Sequence, residues 1–158
     1  MMPRLQEMLD QGGSWHLGRS QMPSFTNTNN LSIVTGAPPV VHGLPGNHYL
    51  AANGEEVQLT SSEFLRAPSI HAELGKTGAR VLCVTAKDKL RLLLSNGLDY
   101  ASGRAIAFSS ERADQAARAA NGIDGVLAMV GKPVPEVYSA DLSELVFAAG
   151  VRLGVCTS

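Results

Sequence analysis

Arg80-Val81-Leu82-Cys83-Val84-Thr85-Ala86-Lys87-Asp88-Lys89-Leu90-Arg91-Leu92-Leu93-Leu94-Ser95 is the stretch that decides the fold class. Arg80 to Thr85 is a short apolar run with β-branched residues, bounded by turns, which is the pattern of a buried strand. Asp88 to Ser95 reads as a helix, with Asn96-Gly97 as its stop. Upstream, Ser69-Ile70-His71-Ala72-Glu73-Leu74 is helix-like and ends near Gly78. Downstream, Ala105-Ile106-Ala107-Phe108 is a second buried strand, and Glu111 to Ala120 is an Ala-rich helix ended by Asn121-Gly122. After Lys132-Pro133-Val134-Pro135 a last helix is predicted from about Ala140 to Ala149, with Ser139 as N-cap and Asp141 in its first turn. Helix, strand, helix, strand, helix predicts an α/β sheet with crossover connections.

Nearer the N-terminus the pattern changes. Pro3 to Leu9 reads as a short helix stopped by Gly12-Gly13, and in Ser14 to Met22 the tripeptide Trp15-His16-Leu17 fits a strand. Pro23-Ser24-Phe25-Thr26-Asn27-Thr28-Asn29-Asn30 then runs into Leu31-Ser32-Ile33-Val34-Thr35, a helical run that Gly36 can end. The first N–H groups of a helix lack internal partners and its dipole is positive there. Thr26 at that junction therefore has two readings, an N-cap or a nucleophile facing an anion. Ala37-Pro38-Pro39 forces an extended path, and Val40 to Glu55 reads as a loop with Asn53-Gly54 as a tight turn. Only two central strands are evident, fewer than a complete parallel sheet needs.

The 158 residues, 44% apolar and 17% charged, predict one globular domain with a real core. A formal net charge of −1 argues against nucleic acid or an anionic membrane as partner. No apolar run approaches the ~20 residues of a membrane span, and the start lacks the apolar core of a signal peptide. Cys83 and Cys156 make no disulfide framework, so a reducing cytoplasm is expected.

Gly75-Lys76-Thr77 ends a helix and precedes a strand, the reverse of a phosphate loop, so it is not a nucleotide site. Lys87-Asp88-Lys89 follows a strand and opens a helix, where open α/β sheets bind ligands. Two lysines so spaced are ordinarily solvated charges; a ligand carboxylate is the alternative. His16, His42, His48 and His71 show no metal-ligand spacing, Asn47 lies in the Gly-Pro-rich loop, and Glu55-Glu56 reads as a solvated turn.

The segment Pro23 to Gly36 resembles the nucleophile segment of the phosphonoacetate hydrolases, zinc-dependent members of the alkaline phosphatase superfamily akin to nucleotide pyrophosphatase/phosphodiesterases. The likeness continues through Pro38-Pro39-Val40-Val41-His42-Gly43, Gly46-Asn47, Phe64-Leu65-Arg66-Ala67-Pro68 and Val84-Thr85-Ala86-Lys87-Asp88-Lys89-Leu90. It resumes at Gly131-Lys132-Pro133-Val134-Pro135 and Leu145-Val146-Phe147-Ala148-Ala149-Gly150. The resemblance implies part of an alkaline-phosphatase-like sandwich, with residues 1–158 belonging to one catalytic domain. It implies Thr26 as nucleophile and zinc contact, Asn47 as a donor to phosphoryl oxygens, and Lys87 and Lys89 as the hold on the substrate carboxylate. Carbon–phosphorus cleavage would leave a carbanion equivalent delocalised onto that carboxylate, where two ammonium groups stabilise the growing charge.

The same resemblance implies two zinc ions, a small phosphonate substrate and a homodimer in the intact family. Its zinc-binding aspartates and histidines lie before and after the span matched here, so this chain is expected to bind zinc poorly alone, to lack turnover, and to leave Thr26 as a cap. A non-catalytic remnant, a subunit completed by another polypeptide and a nucleotide phosphodiesterase are the alternatives.

Overall fold

The computed structural model describes residues 3–59 and 61–155; Cys156 lies outside them. Helix α1 (Pro3–Asp10) is followed by a stretch without regular structure up to α2 (Thr26–Thr35). One turn of helix, α3 (Pro39–His42), leads to an antiparallel hairpin of β1 (His48–Leu50) and β2 (Glu56–Gln58). A 3-10 turn at Ser62–Phe64 precedes α4 (Ile70–Lys76), β3 (Val81–Thr85), α5 (Asp88–Leu94) and β4 (Ala105–Ser109). A 3-10 segment, Ser110–Gln115, and the short helices α6 (Arg118–Asn121) and α7 (Val126–Val130) lead into α8 (Asp141–Val155).

β3 and β4 pair in parallel, from Val81 opposite Ala105 to Thr85 opposite Ser109, with α5 as the crossover that parallel strands require. One core layer joins Val84, Ile106 and Phe108 of the strands to Val126, Leu145 and Ala149 of α7 and α8. A second cluster, Leu31, Leu44, Leu59 and Leu93, ties α2 and α5 to the chain around the hairpin. Each fully buried leucine there contributes roughly 1.5–3 kcal/mol. The result is the expected α/β architecture of parallel strands flanked by helices. Burial pushes the Cys83 thiol up to about 11, which makes it a packing group in β3 rather than a reactive one.

Strands β3 and β4 and helices α4 and α5 fall where the sequence predicts them. Ser69 caps α4 by accepting the Ala72 N–H at 3.2 Å. Trp15-His16-Leu17 forms no strand: residues 11–26 are exposed and bring no partner for a ladder. The predicted loop from Val40 to Glu55 holds most of α3, all of β1 and the hairpin turn at Asn53-Gly54, with β2 following it. Glu111 to Ala120 is not one helix. Arg112 departs from helical geometry, the Glu111 N–H is drawn to the Ala86 carbonyl (3.0 Å), and Asn121 bonds both the Ala117 N–H and the Ala107 carbonyl. These tertiary bonds outcompete the helical ones that alanine favours. Helix α7 was not foreseen. Helix α8 runs past Gly150 to Val155, because the buried Leu145 and Ala149 outweigh the glycine penalty of about 1 kcal/mol. Ser139 does not cap α8; its hydroxyl donates to the Glu136 carbonyl at 2.8 Å.

Asp88 fastens the ends of the two strands. It accepts Nε of Arg91 at 2.7 Å and the Ser109 hydroxyl at 2.9 Å, while its own N–H donates to Glu111 Oε2 at 2.9 Å. Burial disfavours its ionised form, but the Arg91 and Ser109 hydrogen bonds and the charges of Arg91 and Arg112 outweigh this and hold its carboxyl below the usual range. A depressed carboxyl contributes stability above about pH 4 that is lost as pH falls through the folded value. Asp88→Ala is expected to lower the unfolding free energy by about 2–3 kcal/mol in urea titration. A change under about 0.5 kcal/mol would show that this junction does not hold the strands.

His42 is the largest polar side chain in the interior. Its Nδ1 accepts the Leu44 N–H at 3.2 Å, so the proton sits on Nε2, 3.1 Å from the Ser32 hydroxyl. Burial lowers its pKa, against weaker opposing backbone hydrogen bonds. The unfolded chain then binds the proton more readily than the folded one, so this stability is complete above about pH 6.5 and falls as pH drops below it. We expect the thermal midpoint to fall between pH 6.5 and 5, and His42→Gln to flatten that slope; an unchanged slope in the variant would exclude His42 as its source.

Candidate functional site

The carboxyl ends of β3 and β4 open onto a crevice of about 650 Å³. Ligand crevices of open α/β sheets lie at that end. The cleft at the opposite end of the strands, between Gly78-Ala79 and Arg104-Ala105, is smaller at 480 Å³. A third, of 420 Å³, lies beside the hairpin at Tyr49, Leu59 and Phe64.

Three parts of the chain meet in the crevice. Lys87 and Lys89 come from the β3–α5 turn, where the Thr85 hydroxyl donates to the Lys87 carbonyl at 2.8 Å. Asp88 between them turns to Arg91 and Ser109, which leaves the lysines to line the opening. Thr26 comes from the first residue of α2, with Ser24, Phe25 and Asn27 beside it. Asn47 comes from the chain entering β1, its carbonyl held by the Leu59 N–H at 2.8 Å. Leu31 and Leu93, packed in one cluster, bring α2 to α5 and so bring Thr26 towards the lysines. All four residues singled out in the sequence, Thr26, Asn47, Lys87 and Lys89, thus line one crevice.

The Asn-rich segment secures the start of α2. Asn29 donates to the Phe25 carbonyl and accepts the Gln21 N–H, and Asn30 donates to the Thr26 carbonyl. Phe25 takes the N-cap position without a capping side chain, and Thr26 follows as the first helical residue. The cap expected of Thr26 is therefore not formed. Its hydroxyl is exposed and has no hydrogen-bond partner among the described residues, whereas Thr28 is fully buried.

The charges are unbalanced. Lys87 Nζ stands 3.6 Å from Glu111 Oε1 and 4.0 Å from the centroid of the Tyr138 ring. Lys89 has no ion pair or hydrogen bond among the described residues. Glu111 is fixed by the Asp88 N–H at 2.9 Å, so two ammonium groups face one anchored carboxylate. The crevice suits an anion, with hydroxyl and amide donors at Thr26 and Asn47 and cations at the other end.

Sequence reading missed Glu111 and Tyr138 as crevice residues. Glu111 was within reach, since it follows the predicted strand Ala105 to Phe108 as Lys87 follows its own. Tyr138 carried no such signal. The histidines do not gather at the crevice: His42 is buried, His48 faces Glu56 and His71 bonds the Leu94 carbonyl.

A metal does not fit these residues. Among the described residues no group of three or more His, Cys, Asp or Glu could hold one. The crevice offers a neutral hydroxyl, amides and an already engaged carboxylate, beside two cations that repel a metal. No described helix is long and apolar enough to cross a membrane.

The family model described as "Type I phosphodiesterase / nucleotide pyrophosphatase" matches residues 1–100. The phosphonoacetate hydrolase of Sinorhizobium meliloti 1021, solved in complex with phosphonoacetate, is 56% identical with a TM-score of 0.91. The alignment covers 96% of this chain and 37% of that one. The same enzyme solved with phosphonoformate gives the same identity, TM-score and coverage. The chain thus shares the alkaline-phosphatase-like α/β fold of these hydrolases over a little more than a third of their length. With the family model matching well over half of it, the chain belongs to the type I phosphodiesterase/nucleotide pyrophosphatase family.

Proposed function

We propose that this chain is the nucleophile-bearing and carboxylate-binding portion of a phosphonoacetate hydrolase, part of one catalytic domain acting in the cytoplasm. The observation that carries the proposal is the meeting of Thr26 and Asn47 with the Lys87/Lys89 pair in one crevice. Its support from outside the chain is the identity to a hydrolase that binds phosphonoacetate.

In this reading the phosphonate lies with its phosphorus at Thr26 and its carboxylate at the lysines. Thr26 Oγ forms a bond to phosphorus as the carbon–phosphorus bond breaks, and its hydroxyl proton passes to solvent. The released electron pair delocalises onto the carboxylate as an enediolate, where Lys87 and Lys89 stabilise it. Asn47 donates to a phosphoryl oxygen. The carbon takes up a proton to give acetate, and water hydrolyses the phosphothreonine to phosphate. Carboxylate recognition is thereby a catalytic interaction, because charge grows there in the transition state.

A neutral threonine hydroxyl is a weak nucleophile, and among the described residues no base stands hydrogen-bonded to Thr26. Zinc, which the resemblance implies, would need ligands that the described residues do not supply. We therefore expect no phosphate release from phosphonoacetate by this chain alone, with or without added zinc. Release is expected once a polypeptide covering the remaining length of the matched hydrolases is added with zinc. In that complex Thr26→Ala should abolish turnover, and Lys87→Ala or Lys89→Ala should lower kcat/KM by about 10²-fold. No release from the complemented chain would sink the assignment.

The description of the matching family favours a second reading, a nucleotide phosphodiesterase. It gains ground if the lysine substitutions impair turnover of a nucleotide ester and spare phosphonoacetate.

A further inference from the structure

Tyr138 is the one described non-glycine residue with positive φ, at 73°. It lies third in the four-residue turn Glu136-Val137-Tyr138-Ser139, closed by the Ser139 N–H on the Glu136 carbonyl at 3.1 Å. A turn with left-handed geometry there takes glycine or asparagine without strain, and a bulky aromatic with cost. The fold gains no core packing in exchange, since Tyr138 is 90% exposed. Its close contact is with a ligand-facing cation: the ring lies 4.0 Å from Lys87 Nζ and lines the crevice.

We propose that Tyr138 is a positioning residue of the crevice: it holds the Lys87 ammonium for the carboxylate arm of a ligand, and so favours ligands with that arm over simple phosphate. The inference rests on the reading of Lys87 and Lys89 as the carboxylate end of the site. A free lysine loses much rotamer entropy when it is fixed on an anion. The face of the Tyr138 ring attracts the ammonium on one side and Glu111 Oε1 faces it at 3.6 Å. The ammonium is thereby largely ordered before a ligand arrives. It has three N–H donors, and Glu111 occupies at most one, so donors remain for an incoming carboxylate. The ring also removes water from one side of the ammonium, which strengthens its attraction for an anion.

NMR on the whole chain tests this in two steps. Without ligand, the Lys87 ε-methylene protons should be shifted upfield by the ring in the wild-type chain and in Tyr138→Phe, and should return to the ordinary lysine position in Tyr138→Leu. Titrations with phosphonoacetate and with inorganic phosphate follow. Tyr138→Phe should bind both within about twofold of wild type, while Tyr138→Leu loses about three- to tenfold in affinity for phosphonoacetate and under twofold for phosphate. Tyr138→Leu added to Lys87→Ala should cost nothing further. Tyr138→Gly, which relaxes the turn, should keep or raise the thermal midpoint and bind as weakly as Tyr138→Leu; a lowered midpoint would make Tyr138 a structural residue instead. Unshifted Lys87 protons in the wild-type chain, or equal losses for both anions, overturn the proposal. If Lys87→Ala and Lys89→Ala weaken phosphonoacetate but Tyr138→Leu does not, Tyr138 alone is wrong. If the lysine variants bind phosphonoacetate as well as wild type, the lysine reading fails and Tyr138 falls with it.

Discussion

The crevice depends on Asp88. Two parallel strands end side by side at Thr85 and Ser109, and the chain leaving each must turn away without leaving buried polar groups unpaired. Asp88 meets most of that constraint from the first turn of α5, while the Ser110 hydroxyl just past β4 stays buried without a partner among the described residues. Its carboxylate takes the Ser109 hydroxyl and the Arg91 guanidinium, and its N–H reaches the Glu111 carboxylate. The Glu111 N–H in turn reaches the Ala86 carbonyl at 3.0 Å, so the two turns are cross-tied in both directions. With Asp88 committed inward, its neighbours Lys87 and Lys89 border the opening between the strands.

That geometry separates recognition from activation. The net charge of the chain is −1, yet two lysines and a single carboxylate, Glu111, line the crevice where the strands end. In the proposed function, binding an anion there draws on the lysines, Asn47 and the Thr26 hydroxyl that line the crevice. Raising that hydroxyl to the nucleophile of the proposed function is a different task, for which the described residues of the crevice hold no partner. The chain spans 37% of the length of the hydrolase it matches.

Legibility in the sequence tracked how local each cause was. Strand β3 and helix α5 were readable because an apolar run and a helical one, each with its own stop, determine them. The strand-end rule then located Lys87 and Lys89, and applied equally to β4 it points to Glu111. Thr26 and Asn47 come from distant segments; spacing alone left Thr26 open between two roles, and family resemblance brought it to the lysines. Trp15-His16-Leu17 looked like a strand because a single segment cannot reveal that it has nothing to pair with. The Glu111 to Ala120 segment looked helical because its alanines favour helix, whereas the bonds made by Glu111 and Asn121 across the fold break it. Tyr138 was illegible because its meaning lies in a backbone angle and a contact with a residue far away in sequence.

The parallel register of β3 and β4 has a consequence for the order in which the site assembles. Every pair, from Val81 with Ala105 to Thr85 with Ser109, is separated by the same interval of chain, so closing one loop through α5 aligns the whole ladder. The Asp88–Glu111 tie and both lysines form with that closure. Thr26 and Asn47 arrive across much longer loops, through the Leu31–Leu93 contact, and such contacts form late and open early. The lysine side of the crevice is thus the durable half, and the threonine side is the half that first lets go.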